Sequence, residues 1–113
     1  DEIVKEINLC QEKGFQSICL ICKTEKNSIY LFNKIKHKLD IQLIKNGSVS
    51  DLQGVFILPV YMSKGLEFDA VLICDADSQN YHDEDDKNLL YVACTRALHK
   101  LSLFCENEVS PLI

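Results

Sequence analysis

Apolar side chains in this chain fall in short unbroken runs, separated by stretches where they recur every three or four positions, and that alternation predicts strands interleaved with helices. From Asp1 to Lys13 the positions Ile3, Ile7 and Cys10, flanked by Val4, have helical spacing, and Gly14 stands where a helix stops. Ile18–Cys22 is a run suited to a strand buried on both faces. Thr24 is placed to cap a second helix, with Ile29, Phe32 (with Leu31), Ile35 and Leu39 as its inward stripe and Lys26, Lys34, Lys36 and Lys38 outside. Ile41–Ile44 is a short strand before the polar turn Asn46-Gly47-Ser48. Val55–Val60 is another, and Pro59 marks its end or a sheet edge. After a turn at Ser63-Lys64-Gly65 comes the continuously apolar Ala70–Cys74. Asp75–Asp86 reads as an acidic loop, Lys87–Leu98 as a helix, Leu101–Cys105 as a closing strand and Glu106–Ile113 as a tail. The pattern predicts an α/β domain, a mainly parallel sheet with helices on both faces, whose ligands collect at the carboxyl ends of the strands.

Length and composition narrow the picture without changing it. A chain of 113 residues is one domain, 1–113, with 47% apolar and 26% charged residues, the balance of a folded globular protein. No apolar run approaches the roughly 20 residues that cross a bilayer, and the amino terminus lacks the order of a signal peptide, so the expected setting is cytoplasmic, away from membranes. Met62 is the sole methionine, from which we expect a piece of a longer protein. Residues 1–50 carry eight lysines against six carboxylates, and residues 51–113 four basic groups against eleven acidic ones, which together give the net −5. That acidic balance excludes a broad nucleic-acid footprint and leaves room for a local contact. Of the six cysteines, Cys19 and Cys22 have C-x-x-C spacing, but three residues apart on a strand they point to opposite faces and share no metal. Free cysteines are expected. His82-Asp83-Glu84-Asp85-Asp86 is oxygen-rich but lacks the spacing of a calcium loop, so it reads as a solvated connector, with Asp85 or Asp86 near the start of the next helix. His37 and His99 have no partner in view, and Ser63 has no histidine and acid arranged around it by motif.

Two segments carry chemistry. The first is Val60-Tyr61-Met62-Ser63-Lys64-Gly65-Leu66-Glu67-Phe68-Asp69-Ala70-Val71, where Gly65 permits a tight turn, Glu67 offers an acceptor to a ribose hydroxyl, and Lys64 with nearby amides can touch phosphate. Its plainer reading is a connection between two strands. The second is Asn88-Leu89-Leu90-Tyr91-Val92-Ala93-Cys94-Thr95-Arg96-Ala97-Leu98. Its plainer reading is an amphipathic helix, but Arg96 extends the stripe of Leu89 and Val92 and must leave the core or meet an anion, for which its planar fork is suited.

Together these strings resemble motifs V and VI of superfamily 1A helicases, the UvrD/Rep group, over residues 58–73 and 88–98, and Ile18–Thr24 is similar to motif IV, which opens the same domain. The resemblance implies a second RecA-like motor domain that closes over ATP held by the amino-terminal RecA-like domain of the same protein. In it Arg96 matches the arginine finger, Glu67 the acid that holds the ribose with Gly65 beside it, and Lys23 the motif IV position near the γ-phosphate. Thr95 and Tyr91 fall where they would support Arg96. No G-x-x-x-x-G-K-[ST] string is present, so the Mg²⁺ that accompanies ATP belongs to the other domain, and the fragment alone is expected to be inactive. Cys22 stands where the family has an aromatic that stacks on adenine. Tyr61 stands where many relatives have a histidine facing single-stranded DNA, and with Lys64 it is the expected nucleic-acid contact. About 30 residues separate the motif IV-like and V-like segments, too few for the inserted 2B subdomain of UvrD and Rep. Residues 58–71 and 92–99 are most similar in look to HelD-type proteins, helicase-like ATPases of which some act on RNA polymerase. The resemblance thus implies an ATP-dependent DNA helicase or translocase, with remodelling of RNA polymerase as the alternative.

Overall fold

The computed structural model of the chain describes residues 2–44, 53–63, 65–74 and 84–103. The order is α1 (Glu2–Glu12), β1 (Ser17–Cys22), α2 (Glu25–Ile35), β2 (Gln42–Leu43), β3 (Gly54–Pro59), a 3₁₀ turn (Val60–Ser63), β4 (Phe68–Ile73), α3 (Glu84–Cys94) and β5 (Ala97–Leu103). The strands form one sheet in the order β2-β3-β1-β4-β5, and every pairing in it is parallel. All six residues of β1 are buried, as are Val55–Pro59 of β3, because both faces of the sheet are covered. On one face Ile18, Leu20, Ile57 and Leu72 pack with Ile7 and Cys10 of α1 and Ile35 of α2. On the other Ile21, Phe56, Leu58, Phe68 and Ile73 pack with Leu90 and Ala93 of α3. The helices thus lie on both faces, as the pattern predicts.

Local chemistry sets the element ends. Gly14, at φ +86°, reverses the chain after α1, and Phe15 N donates to Cys10 O while Gly14 N donates to Gln11 O, the pairing of a Schellman stop. Thr24 is extended, and its Oγ1 accepts from Asn27 N at 3.1 Å, so it caps α2. Removing that acceptor in Thr24→Ala is expected to cost about 1 kcal/mol, read as a lower urea midpoint at unchanged slope. Pro59 closes β3, which lies between β2 and β1 and is no edge strand. Cys19 and Cys22 sit on opposite faces of β1, and burial, with Cys22 adding to it, pushes the Cys19 thiol well above its ordinary range, away from the thiolate that zinc needs.

One helix face and two helix ends differ from the reading of the sequence. Ile29 of α2 is 39% exposed, and Ser28 takes the inward place, its hydroxyl donating to Glu25 O at 2.7 Å. Helix α3 starts at Glu84, because three acidic residues in its first turn complement the helix dipole rather than extend a loop. It ends at Cys94, so Ala97 and Leu98 belong to β5, which is clamped to α1 by Lys100 Nζ and Glu6 Oε2 at 2.9 Å. Phe104, Cys105 and the tail after them lie outside the described residues, as do Asn46-Gly47-Ser48 and the loop from Asp75 to Asp83. Among the described residues no helix is long and apolar enough to cross a membrane.

Candidate functional site

The segment from Pro59 to Phe68 connects the two ends of the sheet. It leaves the carboxyl end of β3 as the 3₁₀ turn, in which Ser63 Oγ donates to Val60 O at 2.6 Å and Leu66 N donates to Ser63 O at 3.0 Å. Gly65, at φ +80°, turns the backbone through a conformation that side chains with a Cβ resist, although open space surrounds it. Met62 and Leu66 pack down on the face that carries α3. The segment then delivers Glu67, exposed to solvent, to the amino end of β4. Lys64 lies outside the described residues.

Arg96 arrives at the same rim from the other side. Helix α3 tightens as it ends: Thr95 N donates to Tyr91 O and Val92 O, Thr95 Oγ1 donates to Val92 O at 2.7 Å, and Arg96 N donates to Ala93 O. Thr95 therefore holds the turn that presents Arg96. Tyr91 takes part only through its carbonyl, since the residue is 70% exposed. Phe68 N donates to Arg96 O at 2.9 Å, a bond that fixes the backbone next to Glu67 against that of Arg96. Arg96 Nε is buried and has no hydrogen-bond partner among the described residues. Such a donor is costly unless an acceptor is supplied, and a phosphate oxygen is an acceptor suited to it. The exposed Glu67 and the half-buried Arg96 thus stand on adjoining backbones at one rim.

The other residues singled out by the sequence lie at the opposite rim. Lys23 follows the last residue of β1, and Tyr61 is the second residue of the 3₁₀ turn that follows β3. The register pairs Phe68 with Ala97 at one end of the sheet and Cys22 with Pro59 at the other, so about 20 Å of strand separates the backbones of Lys23 and Arg96. The structure brings Glu67, Gly65 and Arg96 toward one rim, and Lys23 and Tyr61 to the other. Lys23 Nζ is 2.7 Å from Asp86 Oδ1 in the first turn of α3. Tyr61 is 59% exposed, and its hydroxyl donates to Glu25 Oε2 at 3.1 Å; partial desolvation, then that carboxylate, pushes the phenol above its ordinary value. Glu67 and Arg96 thus stand at the amino ends of β4 and β5, whereas the sequence pattern directs attention to the carboxyl ends of the strands. The reason is the crossing of the sheet between Val60 and Phe68.

Three polar residues were not foreseen in these roles. Asp86 reads as part of an acidic connector, yet it is 5% exposed and paired with Lys23. Glu25 becomes the acceptor for Tyr61. Asp69 Oδ2 accepts from Gln16 N at 2.8 Å and Ser17 N at 3.3 Å, tying the start of β1 to β4 at the amino rim. An acid at the head of an apolar run was the available signal. His99, without a partner in the sequence reading, stacks on Phe15 at 5.9 Å and faces Asp69 at 3.9 Å. Among the described residues no cluster of histidine, cysteine and carboxylate side chains could hold a metal ion, and His82 and Asp83 lie outside them.

Comparison with known proteins adds a family and two similar structures. The family of UvrD-like helicase C-terminal domains matches residues 54–104. The chain is similar to the C-terminal domain of a possible DNA helicase from Lactobacillus plantarum WCFS1, with 31% identity and a TM-score of 0.89, over 99% of this chain and 69% of that one. It also superposes on the helicase nonstructural protein 10 of an arterivirus, solved in complex with DNA, with a TM-score of 0.51 and 16% identity, over 84% of this chain and 24% of that one; this second likeness is one of fold. No curated protein matches the sequence.

Proposed function

The chain belongs to the family of UvrD-like helicase C-terminal domains, and on that footing we propose that it is the second, RecA-like motor domain of an ATP-dependent DNA helicase or translocase. The observation that carries this reading is Arg96, whose Nε is buried without a partner among the described residues and whose carbonyl accepts from the residue after Glu67. In the proposal ATP and its Mg²⁺ are held by the amino-terminal RecA-like domain of the full-length protein, and this chain closes over them. The Glu67 carboxylate accepts from the ribose hydroxyls, Gly65 lets the backbone turn close beside them, and Arg96 donates to the γ-phosphate as negative charge spreads over it. Tyr61 meets single-stranded DNA at the opposite rim, where an exposed phenol can stack on a base, and Lys64 contributes a charge to the same strand. The string Val60–Phe68 would then join the strand contact to the nucleotide contact within nine residues.

The rate of ATP hydrolysis by the full-length protein, alone, with single-stranded DNA and with RNA polymerase, tests the proposal. Several-fold stimulation by DNA is expected. Stimulation by polymerase with DNA inert would move the protein to the HelD-type remodelling class, with the same roles for Glu67 and Arg96. No hydrolysis under any of the three conditions would overturn the motor-domain reading.

A further inference from the structure

Helix α3 is seated on the sheet by its second half. Leu90 and Ala93 are buried, Leu89, Val92 and Cys94 pack half-buried on the same cluster, and the buried residue of its first turn is the acid Asp86. A carboxylate that served the helix dipole alone would sit in solvent, as its neighbours Glu84 and Asp85 do. Asp86 instead turns inward and meets Lys23 at 2.7 Å, with side-chain exposures of 7% and 22% for the two partners. Burying a charge pair is a poor way to gain stability, and its best-attested use is to fix one arrangement among several. Here the arrangement is that of a rod about 16 Å long, with the ion pair at its amino end and the turn that presents Arg96 at its carboxyl end.

We propose that Asp86 is a positioning residue: through its ion pair with Lys23 it holds the amino end of α3 against the end of β1, and so sets where the other end of the helix delivers Arg96. The proposal rests on the motor-domain reading above and gives Lys23 a different task from the phosphate contact that the resemblance implies. A helix that rocks on its seat at residues 89–94 turns its amino end and the turn after its carboxyl end together, so release of Asp86 displaces Arg96. A misplacement of about 1 Å can cost about 10²-fold in rate.

The test is the steady-state kinetics of ATP hydrolysis by the full-length protein. Asp86→Asn and Lys23→Met are each expected to lower kcat by about 10²-fold with the KM for ATP unchanged, and the double variant to be no worse than either single one. Lys23→Arg keeps the pair and is expected to keep most of kcat. Wild-type kcat in Asp86→Asn, a rise in KM alone in Lys23→Met, or losses that multiply in the double variant would each overturn the proposal. Should Asp86→Asn melt below the assay temperature, Asp86→Glu replaces it, because it keeps the charge and lengthens the link by one methylene. Loss of kcat in that folded variant supports positioning, and full activity overturns it. Arg96→Ala separates the two layers: an active Arg96→Ala enzyme defeats the motor-domain reading itself, whereas inactive Arg96→Ala beside fully active Asp86→Asn defeats only the role of Asp86.

Discussion

Arg96→Ala in the full-length protein is expected to lower ATP hydrolysis by about 10³–10⁵-fold while nucleotide binding hardly changes. The split follows from what the side chain has to offer. A guanidinium brought to the γ-phosphate by domain closure gains most as charge spreads over the transferring group, so its loss falls on kcat. Glu67, by contrast, would touch hydroxyls that do not react, and its contribution belongs to binding. Arg96→Lys is not expected to restore the rate, because a point charge does not reproduce the fork. A second readout comes from the chain by itself. Arg96 Nε is buried without a partner among the described residues, a state that costs about 1–3 kcal/mol rather than stabilising the domain. The isolated Arg96→Ala chain should therefore melt no lower than the parent. Equal losses of binding and hydrolysis, or a clear drop in Tm, would make Arg96 a structural residue.

The pattern of the sequence shows the sheet well and the rims badly, and the difference is physical. Strands β1, β3 and β4 are buried on both faces, so their apolar runs leave no ambiguity about what they are. Strand β5 is at the edge and alternates between exposed and half-buried positions, so its first residues resemble the helix that precedes them. The stripe Leu89-Val92-Arg96 reads as a helix through 98, but the hydroxyl of Thr95 and the Arg96 N–H have already closed the helix onto Val92 and Ala93. Acidic residues 84–86 look solvated because charge usually is, and the Lys23 ammonium helps make an inward Asp86 tolerable. Arg96 and Glu67 stand out in the sequence as candidates, from the strings around them. Their shared rim does not, because it depends on a parallel crossover in which a few residues after Ser63 return the chain to the start of the sheet.

That crossover also explains why one core residue should weigh on both stability and the site. Phe68 is fully buried on the α3 face, 6.1 Å from the ring of Phe56, and its amide makes the bond to Arg96 O. Phe68→Ala is expected to destabilise the chain by about 3–5 kcal/mol, since the space beside Phe56 between sheet and helix cannot collapse fully. At about 4 °C per kcal/mol for a domain of this size, the Tm should fall by roughly 12–20 °C. Phe56→Ala should cost a similar amount, because Phe56 is 1% exposed against the same cluster. The two differ in where the loss is felt. Phe56 sits inside β3, whereas Phe68 is flanked by Glu67 and bonded to Arg96, so at a temperature where both variants are folded only Phe68→Ala should also slow hydrolysis by the full-length protein. Urea melts of the isolated chain give the first comparison and ATPase rates the second. A Phe68→Ala chain within about 1 kcal/mol of the parent would show that the core does not depend on this ring. Equal ATPase rates in the two folded variants would show that the Phe68–Arg96 bond does not set the rim on which the nucleotide reading depends.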